Sequence, residues 1–119
     1  MKRSVQALGR LKQGQMNKTE AAYAQHLELL KRTGEIVYYS FDGVNLRLAD
    51  KTFYKPDFLV MKADGSLEIH EVKGAKGVFT DDAKVKVKVA ASKFPFRFLV
   101  CYPKGRRRGM VQSWEIEEF

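Results

Sequence analysis

Between Tyr54 and Gly74 the chain reads Tyr-Lys-Pro-Asp-Phe-Leu-Val-Met, passes a turn at Asp64-Gly65-Ser66, and continues Leu-Glu-Ile-His-Glu-Val-Lys-Gly. Both arms are rich in strand formers, and Asp-Gly between two such runs is a strong hairpin signal. The arms also carry Asp57, Glu71 and Lys73. Ionised side chains rarely enter core strands without partners, so this hairpin constrains the chain more than any other stretch. Side chains alternate faces along a strand. A two-residue loop at Asp64-Gly65 would put the carboxylates on different faces. A three-residue loop, Asp64 to Ser66, sets Asp57 opposite Lys73 and brings Asp57, Glu71 and Lys73 onto one patch. The alternative is a surface hairpin with Lys73 paired to Glu71. The apolar run Phe58-Leu59-Val60-Met61 argues instead for a buried arm.

Converging carboxylates repel unless a positive charge lies between them. Magnesium is commonly held by one or two carboxylates together with water and substrate phosphate. A neighbouring lysine can orient or deprotonate a water, or neutralise phosphate charge. Pro56-Asp57, one hairpin, and then Glu71-Val72-Lys73 resembles the signature of the PD-(D/E)XK nuclease superfamily. Within it the chain looks like the small phage-type endonucleases related to Holliday-junction-resolving and recombination nucleases. The resemblance covers roughly residues 17 to 102 on the element order read below.

At 119 residues the chain has room for one core, and its 45% hydrophobic content suits a folded domain rather than a disordered chain. The net charge of +8 points to a polyanionic partner, nucleic acid before membrane surface. Cys101 is the sole cysteine, which excludes an internal disulfide and a cysteine metal cluster. No apolar run reaches spanning length and no apolar signal core opens the chain, so a cytoplasmic protein without a membrane partner is expected.

Residues 1–16 read as a basic arm with Lys2, Arg3, Arg10 and Lys12, either a frayed terminus or a phosphate contact. Residues 17–119 read as the single folded domain. Met16, Glu20, Tyr23, Leu27 and Leu30 fall on one helical stripe, and Gly34 stands where a stop belongs. Asn17-Lys18-Thr19-Glu20 is a capping box, which gives Glu20 a structural role. His26 lies off the stripe, at the rim.

Strands are expected at residues 35–40, through Val44, Leu46 and Leu48, and at Thr52-Phe53-Tyr54. Pro56, lacking a donor, marks an edge or bulge in the strand that carries Asp57. Gly74 to Gly77 is a basic loop. Residues 80–94 alternate valine with lysine like a strand. Phe79, Ala83, Val87, Ala90 and Phe94 keep helical spacing, however, and Thr80-Asp81-Asp82 suits a helix start. A helix is expected there, with Lys84, Lys86, Lys88 and Lys93 spread over its outward face.

Phe96 to Cys101 reads as a strand, Lys104 to Gly109 as an arginine-rich loop suited to phosphate, and Trp114 to Phe119 as a last strand. Cys101 reads as a packing residue, and His70 alternates away from Glu71. The expected class is α/β (α+β), a central mixed sheet flanked by helices in the order α-β-β-β-α-β.

The resemblance implies a restriction-endonuclease-like core. It further implies Mg2+ or Mn2+ on Asp57, Glu71 and the Val72 carbonyl, with Lys73 positioning the attacking water. The superfamily often carries a glutamate on its first helix, which implies a role for Glu20 as ligand or base. The implied reaction is hydrolysis of DNA phosphodiesters, on branched or recombination-intermediate DNA, by a homodimer. Lys76, Lys84, Lys88, Arg106, Arg107 and Arg108 are the expected DNA contacts. A non-catalytic nucleic-acid-binding module and a nuclease subunit of a recombination or transposition complex are the alternatives.

Overall fold

The computed structural model describes residues 14–119. The arm expected at 1–16 therefore lies, but for its last three residues, outside the described residues. Asn17 starts the first helix, α1 (Lys18–Thr33): its side chain accepts from the Glu20 N–H at 2.8 Å, and Glu20 accepts from the Asn17 N–H at 2.9 Å. Gly34 ends α1 in the left-handed region (φ 87°), its N–H reaching the carbonyls of Leu30 and Lys31. Of the expected stripe, Tyr23 and Leu27 are buried, whereas Met16 is exposed. Replacing Asn17 with alanine removes the cap, and a loss of about 1 kcal/mol in urea unfolding is expected.

Five strands follow before the second helix: β1 (Ile36–Phe41), β2 (Leu46–Ala49), β3 (Thr52–Tyr54), β4 (Phe58–Lys62) and β5 (Leu67–Val72). A single 3-10 turn (Lys76–Val78) leads to α2 (Asp81–Lys93), then β6 (Arg97–Arg107) and β7 (Met110–Glu118). The strand-like alternation of residues 80–94 is overridden by the helix signals. Thr80 caps the start by accepting from the Ala83 N–H, and Val87 and Ala90 turn inward while Val85 stays exposed.

The main sheet runs β1-β4-β5-β6-β7, with β5 and β6 parallel and the other neighbours antiparallel. The mixed sheet with helices matches the class expected from the sequence. β2 and β3 form a separate two-stranded hairpin. Contrary to the expectation that Pro56 stands inside the strand carrying Asp57, both residues lie in the connection between β3 and β4. There the missing N–H of Pro56 interrupts no ladder.

Two apolar layers cover the sheet. On one face Tyr23 and Leu27 of α1 meet Phe58, Val60, Val72 and Cys101. On the other, Val87 and Ala90 of α2 and Leu46, Leu48 and Tyr54 of the small hairpin meet Ile69, Phe98 and Val100. A β5 strand buried on both faces follows from this arrangement.

The segment expected to be a loop at 104–109 is instead the end of a long β6–β7 ribbon. Arg107 pairs with Met110, and only Arg108 and Gly109 turn, with φ of 54° and 78°. Positive φ at both turn positions matches the twist of the flanking strands, which lets pairing run to the tip.

Candidate active site

The β4–β5 hairpin closes through Ala63-Asp64-Gly65. Gly65 is left-handed (φ 90°), the Lys62 N–H donates to the Ser66 carbonyl, and Asp64 accepts from the Ser66 N–H and hydroxyl. This three-residue loop is one position earlier than Asp64 to Ser66. The ladder therefore pairs Phe58 with His70, and one step further it sets Asp57 opposite Glu71 rather than opposite Lys73. The register moves by two residues, an even number, so faces are preserved. Asp57, Glu71 and Lys73 still fall on the sheet face shared with Ile69 and α2.

Each group is held by named neighbours. Asp57 Oδ2 accepts from the Val72 N–H at 2.7 Å, so the carboxylate takes the place of the next ladder bond. Glu71, buried, accepts from the Tyr54 hydroxyl on Oε1 at 2.8 Å and lies 3.3 Å from Lys73 Nζ through Oε2. The Lys73 N–H donates to the Cys101 carbonyl, which ties the end of β5 to β6. Val72, whose carbonyl is the remaining implied ligand, stands between these two residues at the same strand end.

Burial raises the Asp57 carboxyl to about 8, and the Glu71 charge adds to it; the Val72 N–H and Lys73 oppose the rise. Burial likewise raises the Glu71 carboxyl, against Lys73 and the Tyr54 hydroxyl. One ammonium does not balance the pair, so the patch retains unpaid negative charge whenever both groups ionise.

Glu20 is close enough for its charge to push the Asp57 carboxyl further up. The first turn of α1 lies at this end of the sheet: a Cβ on Gly74 would come within 3.8 Å of Thr19 Oγ1. The Glu20 carboxylate is nevertheless bonded to the helix start, as its capping role requires. Among the described residues no three His, Cys, Asp or Glu side chains come together as a metal-holding group. Two carboxylates with excess negative charge fit a hard cation that completes its shell with water and phosphate, as magnesium does.

The expected DNA contacts divide. Lys84 leans over the Phe79 ring at 5.6 Å, and Lys73 lies 5.9 Å from the same ring, so Lys84 belongs to the neighbourhood of the site. Lys76 is paired with Glu115 at 2.6 Å and lies over Tyr102. Lys88 is exposed on α2, while Arg106, Arg107 and Arg108 are exposed at the ribbon tip.

Two features escaped the sequence reading. Tyr54, which the sequence marks only as a strand residue, is the partner that orients Glu71. On the opposite sheet face, Glu68 and His70 form a buried chain: His70 Nε2 meets Glu68 Oε1 at 2.9 Å and Nδ1 meets the Tyr23 hydroxyl at 2.6 Å. The Cys101 thiol donates to that hydroxyl at 3.2 Å, and Arg97 bridges Glu68 to Glu118. Burial pushes the Cys101 thiol up to about 12, which fits the packing role expected for it. The alternation of Glu68 and His70 in β5 was the available signal; their partners are 29 to 47 positions away along the chain. No helix among the described residues is long and apolar enough to cross a membrane. No protein-family model, curated protein or solved structure matches the chain.

Proposed function

We propose that the chain is a divalent-metal-dependent DNA endonuclease of the PD-(D/E)XK type, acting on branched or recombination-intermediate DNA. The observation that carries this reading is the meeting of Asp57, Glu71 and Lys73 at one strand end, with burial raising both carboxyls and the Glu71 charge raising Asp57 further. With the separate β2–β3 hairpin and the edge strand β7 set aside, the order α1, β1, β4, β5, α2, β6 follows the α-β-β-β-α-β sequence that the resemblance implies.

Asp57, Glu71 and the Val72 carbonyl would hold Mg2+ or Mn2+. The bound ion would supply Lewis acidity at the phosphate and a lower pKa for water. The chain's own groups do the rest. The Val72 N–H and the Tyr54 hydroxyl fix the two carboxylates in place before substrate arrives. Lys73, held against Glu71, positions the attacking water and offsets charge developing on the phosphate oxygens. Lys84 adds a second ammonium beside the same ring for the flanking phosphate. Glu20 contributes a further negative field at Asp57, and service as a ligand would break its bond to the Asn17 N–H.

Purified protein incubated with supercoiled plasmid and with synthetic four-way junctions, in magnesium or manganese, tests the assignment. Cleavage is expected, with Lys73→Ala losing at least about 100-fold. No cleavage with either ion, or equal cleavage by Asp57→Ala and Lys73→Ala, overturns it.

A further inference from the structure

A large concavity lies away from the carboxylates. A groove of about 1060 Å³ lies between the outer flank of α1 and β7, walled by Leu29 on one side and by Met110, Trp114 and Ile116 on the other. Leu29 and Met110 are 59% and 65% exposed, so the walls are apolar and open to solvent. Lys18 and Arg32 line the groove on α1. A smaller pocket of about 380 Å³ shares Met110 and adds Arg107 and Arg108 at the ribbon tip. The acidic lining residue, Glu28, is already engaged by Arg32 at 3.6 Å and by the Tyr39 hydroxyl at 2.8 Å. From Lys18 to Arg32 the helix wall is about 20 Å long, and from Met110 to Ile116 the strand wall is about the same.

We propose that this groove binds a single strand of nucleic acid, its bases against Trp114, Leu29 and Met110 and its phosphates toward Lys18, Arg32, Arg107 and Arg108. Strands without sequence preference are held in this way, by aromatic and apolar platforms within a cationic track. A length of about 20 Å takes about six stacked nucleotides at roughly 3.4 Å each. A duplex presents no base faces and cannot use these walls. A second copy of the chain would set the cationic rim against itself, which disfavours self-association here. The inference stands apart from the nuclease reading, because it needs neither the metal nor the carboxylates. If both hold, the unpaired arm of a branched substrate is what the groove takes.

Trp114 is the sole tryptophan, so intrinsic fluorescence reports from the groove itself. The wild-type protein is titrated in EDTA with a ten-residue oligothymidylate and with a blunt duplex of equal length. Saturable quenching by the single strand is expected, weakening steeply with salt, and little response to the duplex. Leu29→Glu and Met110→Glu should each weaken the single-strand affinity by roughly tenfold or more. Both positions are exposed; should either variant melt lower than wild type, Lys18→Ala combined with Arg32→Ala carries the test. No quenching, equal quenching by the duplex, or unchanged affinity in all variants overturns the proposal. So does sedimentation of the wild type as a dimer that Leu29→Glu converts to monomer, since the groove is then a protein interface.

Discussion

Replacing Asp57 with asparagine is expected to abolish cleavage while making the metal-free protein more stable at neutral pH. The amide can still accept from the Val72 N–H, so the 2.7 Å bond has a successor, while the cost of holding a buried carboxyl protonated at neutral pH disappears. Relief from that protonation cost is expected to be worth about 1–4 kcal/mol, here several degrees in Tm.

The sign of the pH dependence follows from the raised carboxyl. Its folded-state value, about 8, lies above the ordinary 3.8, so between these limits the folded state holds a proton that the unfolded state has lost. Wild-type stability should therefore fall as pH rises from about 4 to 8, whereas the Asp57→Asn curve should be flatter across this window. Glu68, held below the usual carboxylate range chiefly by its bond from His70, acts in the opposite sense at lower pH and equally in both proteins. Manganese should raise the Tm of wild type at pH 8 and leave the variant unmoved. Thermal melts across pH, with and without the ion, measure both effects. A variant no more stable than wild type at pH 8 would remove the electrostatic argument for the site.

Phe58→Ala should be the most damaging single core substitution next to the site. Its side chain is fully buried, with the Tyr23 ring 5.5 Å and the Phe41 ring 5.2 Å away, so α1 and β1 both lean on it. Loss of the ring leaves a cavity that the sheet cannot collapse into, and about 3–5 kcal/mol is expected. That is a large share of the roughly 5–15 kcal/mol that holds a domain of this size. Urea unfolding should show a lower midpoint with an unchanged slope; a loss under about 1 kcal/mol would mean that the layer beneath α1 repacks.

Local chemistry made much of this architecture legible. The capping box at Asn17, the stop at Gly34 and the start at Thr80 each act within one helical turn, and each is where the residue types put it. The convergence of Asp57, Glu71 and Lys73 was legible as well, because side-chain faces depend only on whether the loop is odd or even. The register within that parity was not. Asp64-Gly65-Ser66 and Ala63-Asp64-Gly65 are both plausible loops, and the Asp64 bonds to Ser66 together with the left-handed Gly65 decide for the second. The basic stretch 104–109 looked like a loop because arginine and glycine carry little strand preference; pairing with β7 overrides it.

By itself, then, the order of residues determined both helices and most of the strands, the sign of the charge and the three groups sharing one face, since these depend on neighbours a few positions apart. Only the tertiary structure decided how strongly those groups interact. Burial beneath α2 and the small hairpin, the Tyr54 bond to Glu71 and the chain from Cys101 to Glu118 all join distant segments. Whether a carboxylate is paired, desolvated or left facing another is set by that packing, and no local pattern encodes it.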